Sequence, residues 1–145
     1  MRLRWKEVKA FLESLEAAER YKPFQVAKRN IMRKYGLSGS RVDRLTTAII
    51  YKIYRMQGVL DEIAAKVLGV KVQRLPPYLR QSLRLAAYLA LYDDSDDFEL
   101  ASMLVEEAAR IAGKRFREQD AETIMRLYRS LRRGYGAPTR ACGKR

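Results

Sequence analysis

PPYLRQSLRLAAYLALY, residues 76–92, is the stretch that decides how the rest of this chain folds. Pro76 and Pro77 suit the first turn of a helix, where a missing N–H costs nothing. No Gly or Pro follows until Gly113, so nothing interrupts the pattern. Leu79, Leu83, Ala86, Ala87 and Ala90 recur at helical spacing, and Leu85, Tyr88, Leu89, Leu91 and Tyr92 fill the other faces. A helix that is apolar nearly all round must be surrounded by other helices. Arg80 and Arg84, four apart, sit one above the other and are expected to reach out of the packed face.

Working outward, the spacing predicts six more helices. The first covers 3–18, with Trp5, Val8, Phe11, Leu12 and Leu15 as its buried stripe. The second covers 23–35 and stops at Gly36. The third covers 41–57, capped within 38–40 and ended by Gly58. A short fourth covers 60–68 and ends at Gly69, leaving 70–75 as a loop before the central helix. The sixth covers 98–112, ended by Gly113, and the seventh 120–133. No strand pattern competes, so the expected fold is an all-α bundle of seven helices over 1–133, with 134–145 as a flexible basic tail.

The chain has 145 residues and a formal net charge of +13, a balance that points to polyanionic partners. Residues 1–44 hold 12 basic and 5 acidic side chains, 45–92 hold 7 and 2, and 114–145 hold 10 and 3; only 93–113, with 1 and 7, is acidic. Arg2, Arg4, Lys6 and Lys9 crowd the start of the first helix, against its dipole. Lys22, Arg29 and Arg33 line a face of the second, with Lys28 beside them; that face also reads as ordinary solvated surface. Lys114, Arg115 and Arg117 follow the sixth helix, where cations meet orphan carbonyls; three basic residues in four exceed what capping needs.

Catalytic patterns are absent. There is no histidine, no GxxxxGK[ST], no GxGxxG, and a single cysteine, Cys142, within the tail. The aspartates Asp93, Asp94, Asp96 and Asp97 lack EF-hand spacing and read as a helix cap. The chain is therefore expected to be non-catalytic, with no metal and no cofactor. Lacking a membrane span or signal pattern, and without disulfides, it is expected in the cytoplasm. The second and third helices also suit a helix-turn-helix, but the third is too apolar to read base edges.

Three stretches together resemble the NusB-like RNA-binding domain: LPPYLRQSLRLAAYLALYDD at 75–94, LTTAIIYKIYRMQGVLDEIAAKVL at 45–68, and LVEEAARIAGKRFREQDAETIMRLYRSL at 104–131. The likeness covers about 8–133. It is closer to the version fused in front of Sun/Fmu-type RNA cytosine-C5 methyltransferases than to the free antitermination factor. The resemblance implies a seven-helix fold that binds rRNA or tRNA without catalysis. Arg2, Arg4, Lys6 and Lys9 match one RNA-facing region of the family, and Lys114, Arg115 and Arg117 match the other. It also implies a methyltransferase domain, a transcription factor or a ribosomal protein as partner. A protein-interaction subunit, docking through 93–97 and the sixth helix, is the alternative. Tyr21 and Phe116 are the aromatic side chains expected to be open to bases.

Overall fold

The computed structural model describes residues 5–20, 24–92 and 98–134; the side chains of 5, 6 and 98–100 lie outside that description. Six α-helices make the described fold, and no strand occurs among these residues: α1 Trp5–Arg20, α2 Phe24–Lys34, α3 Arg41–Leu68, α4 Pro77–Tyr92, α5 Phe98–Ala112 and α6 Glu118–Arg132. Two single 3₁₀ turns, Val72–Arg74 and Gly113–Arg115, lead into α4 and α6.

α4 is the axis. Every residue from Gln81 to Ala90 is buried, and α1, α3, α5 and α6 all pack against it. Leu83, Ala86, Ala87 and Ala90 are fully enclosed; the small side chains let neighbouring helices approach, while Leu85, Leu89 and Tyr78 fill the gaps between them. α6 contributes Ile124, Leu127, Tyr128 and Leu131 to this core, and α1 contributes Val8, Phe11, Leu12 and Leu15. At about 1.5–3 kcal/mol for each large side chain removed from water, this burial is what opposes the ordering entropy of the chain.

The seven-helix expectation is corrected to six. Gly58 does not end a helix; α3 runs unbroken for 28 residues. An interior glycine costs only about 1 kcal/mol relative to alanine. Buried Ile50 and Ile53 on one side of Gly58, and Leu60 and Ala64 on the other, belong to one core, so breaking the helix would cost far more. Gly58 itself is exposed, and a Cβ built there meets nothing within 4 Å. The true stop is Gly69, left-handed at φ 71°, whose N–H caps the Ala65 carbonyl. At the other end the Ser40 side chain accepts from the Asp43 N–H, as the sequence suggests. The expected loop at 70–75 contains the first 3₁₀ turn, whose Val72 is fully buried. The acidic turn at 93–97 and the tail from 135 lie outside the described residues.

Candidate nucleic-acid interface

The basic side chains expected to face RNA divide sharply once placed. Arg84 is a correction. It does not reach outward: it is 8% exposed and clamps Asp61 of α3, Nε to Oδ1 and Nη2 to Oδ2, both at 2.8 Å. A buried, bidentate pair of this kind joins two helices and offers nothing to a ligand. Arg80 is tied in the same manner to Glu19, in the last turn of α1, at 2.9 and 2.5 Å. It also donates to the carbonyls of Gln73 and Leu75. Burial alone would push the Glu19 carboxyl up. The hydrogen bonds from Arg80 and Gln81, with the Arg80 charge, outweigh burial and hold it below the usual value.

Lys28 is also engaged, bridging α2 to Asp43 of α3 at 2.5 Å while the Gly39 N–H donates to the same carboxylate. Arg29 and Arg33 are exposed and carry no ion pair among the described residues. Glu13, midway along α1, takes Lys34, Tyr35 and Arg110 together. Burial first, then the Glu13 hydrogen bond, push the Tyr35 hydroxyl up to about 12. The carboxylates Glu13, Glu19, Asp43, Asp61, Glu107 and Asp120 thus lie at least partly inside the bundle, each bonded to neighbours. The exposed surface is left more basic than the composition alone implies.

The turn after α5 is different. Gly113, left-handed at φ 61°, starts it. The Tyr78 hydroxyl, at the start of α4, donates to buried Asp120 Oδ2 at 2.8 Å, with the Arg115 carbonyl at 3.2 Å. Asp120 also accepts the Arg117 backbone N–H at 3.0 Å, closing the N-terminus of α6. The turn is thereby bolted to the core while its side chains stay outside: Lys114, Arg115 and Arg117 are all exposed. Lys114 has no partner among the described residues. The Arg115 guanidinium lies 5.3 Å from the Tyr78 ring centroid, and Arg117 reaches Asp120 only at 4.0 Å. Phe116 is half-buried, its ring 6.2 Å from that of Tyr78, so it packs on the protein instead of standing open to a base. Tyr21 lies outside the described residues.

Two cations that the sequence reading passed over complete this end. Lys71, just before the first 3₁₀ turn, and Arg74, at its end, are exposed and without an ion pair among the described residues. Arg80 holds that segment against α4 through the carbonyls of Gln73 and Leu75. In sequence the segment reads as a plain link; its signal is a cation at each end of KVQR, residues 71–74, with Leu75 between it and the Pro-Pro start. α4 supplies no acidic residue of its own in its first turn. Arg2, Arg4 and the Lys6 side chain lie outside the described residues, and Lys9 is partly buried on α1. It is the last turn of α1, at Glu19, that meets this end; Lys9 stands ten residues earlier, about 15 Å along the helix.

The match to known families follows the same architecture. The NusB family model matches residues 6–124, which takes in α1 to α5, both 3₁₀ turns and the first half of α6. The chain belongs to the NusB family. Membership in that family suggests an RNA-binding, antitermination-type role. A solved structure described as the crystal structure of PH0851 is similar at 26% identity with a TM-score of 0.75; the likeness covers 91% of this chain and 30% of that one. No curated protein matches. Among the described residues, no group of three or more His, Cys, Asp or Glu is placed to hold a metal, and no helix is long and apolar enough to cross a membrane.

Proposed function

We propose that this chain is a non-catalytic RNA-recognition domain that grips phosphates with the end of the bundle where α4 begins. The observation that carries it is the set of exposed cations there, Lys71, Arg74, Lys114, Arg115 and Arg117, on turns pinned to the core through Tyr78 and Arg80. Rigid backing keeps these side chains apart and ready, so binding orders little new structure. The mechanism is phosphate neutralisation with release of counterions, and preference among RNAs comes from shape and from unpaired bases.

The finer reading is an accessory role in RNA cytosine-5 methylation, on structured ribosomal or transfer RNA. It rests on the resemblance of residues 45–68, 75–94 and 104–131 to the domain in front of such methyltransferases. That this chain corresponds to 30% of PH0851 fits a module used within a longer protein. The test is titration with ribosomal and transfer RNA fragments at several salt concentrations. Affinity should fall steeply with salt, and the variant K71Q/R74Q/K114Q should lower the slope by about 0.7–0.9 per charge removed. Salt-independent affinity would sink the reading. Pull-down with and without nuclease separates an RNA-bridged partner, lost on digestion, from a protein partner held directly.

A further inference from the structure

We infer that the outer surface of α2 and α3 is a second phosphate-binding track, separate from the bundle end. The inference rests on the RNA reading above and extends it to a part of the molecule that reading does not use. Residues 24–60 contain eight lysines and arginines and one carboxylate, Asp43. The structure then removes that carboxylate from the surface, where Lys28 and the Gly39 N–H occupy it.

What remains is ordered along one ridge. Arg41, Arg44, Lys52 and Arg55 fall within about 80° of arc on α3 and span about 21 Å of its length. All four are exposed, as are Ala48 and Val59 on the same stripe. Arg44 gives one N–H to the Gly39 carbonyl; the other three carry no ion pair among the described residues. α2 reaches α3 through Phe24, which meets Tyr51 and Tyr54 edge-on, and through the Lys28–Asp43 bridge. Its Arg29 and Arg33 are exposed as well.

Other exposed faces of the bundle do not look like this. α6 carries Glu118 and Glu122 as well as Arg126 and Arg129 on its open side, the mixed signs of ordinary solvated surface. On α3, like charges three apart, Arg41 with Arg44 and Lys52 with Arg55, repel each other. A linear polyanion is the complement that removes this repulsion. The ridge is the convex flank of a single helix, and the exposed ring beside it, Tyr51, is met edge-on by Phe24 and accepts from Gln25 at its hydroxyl. It therefore suits the phosphodiester backbone of RNA that continues past the bundle end, with no base read.

The test uses the whole chain, the variant R41Q/K52Q/R55Q, and two RNAs: a short single-stranded oligonucleotide and a long structured hairpin. Glutamine keeps helix propensity at exposed positions, and circular dichroism checks that the variant folds. The variant should bind the short oligonucleotide as the parent does. On the long hairpin its log-affinity against log-salt slope should fall by about 2–3. An unchanged slope on the long hairpin, with short-oligonucleotide binding intact, overturns the track and leaves the bundle-end reading standing. If neither RNA binds the parent chain, the RNA reading itself is overturned. If the substitutions abolish binding to anionic phospholipid vesicles and leave the RNA slope alone, the ridge belongs to a membrane surface and the inference is wrong.

Discussion

Arg80 and Arg84 in the first half of α4, and Lys114, Arg115 and Arg117 on the turn that meets α4 at Tyr78, are basic residues with opposite fates. The first two face carboxylates, Glu19 and Asp61, and become struts between helices. The last three stay exposed, because buried Asp120 looks inward to Tyr78 and Glu118 forms no ion pair with them among the described residues. The difference teaches that a cation's role here is set by which carboxylate the fold swings against it, and local sequence does not record that.

The comparison breaks most visibly at Arg84. Arg84→Ala leaves Asp61 buried and unpaired and should cost about 3–5 kcal/mol of stability, read by urea unfolding, with RNA affinity of the folded protein unchanged. Replacing both partners, D61L with R84M, should recover most of that loss. If Arg84→Ala instead weakened RNA binding at full stability, Arg84 would belong with the outer set. Glu19 comes next. Its carboxyl sits below the usual 4.5, so its bonds to Arg80 and Gln81 are complete at neutral pH and are lost as pH falls through that lowered value. Glu19→Gln should cost about 1–3 kcal/mol at neutral pH and flatten the acid limb of a stability–pH curve; an unaltered acid limb would show that Arg80 is not tied as described.

Arg115 sharpens the contrast, because it belongs partly to each class. Lys114→Gln should lower the RNA salt slope by about 0.7–0.9 and move stability by less than about 0.5 kcal/mol. Arg115→Gln should lower the slope equally and in addition lose about 0.5–1 kcal/mol from its place over Tyr78, measured by thermal unfolding. Equal stability for the two variants would count against the stacked geometry. The smallest effect is at Gly58, where alanine meets open space in a helical backbone: Gly58→Ala should stabilise by about 0.4–1 kcal/mol without touching RNA binding. A loss of stability there would mean that α3 is not continuous.

The central helix was readable because a run apolar on every side has one physical solution. The end of α5 was readable because Gly113 stops it. Gly58 misled because a glycine is a strong stop only where the flanking residues do not share a core, and Ile53 and Leu60 share one. Arg84 misled for a related reason: its partner Asp61 lies 23 residues away, and helical spacing relates only near neighbours. Lys71 and Arg74 were passed over as part of a link. Their standing as candidates comes from the Arg80 bonds that fix the link in place, which no local pattern reports.

Because α3 continues through Gly58 from Arg41 to Leu68, the molecule contains a ruler about 42 Å long. A hinge at that glycine would have let the two halves follow the contour of whatever they touch. Without one, the separation between the ridge and the bundle end is constant, and any nucleic acid that engages both has to do the bending itself. Compliant RNAs, with bulges or unpaired junctions at the right interval, would then be favoured over stiff duplexes by mechanics alone, with no base inspected.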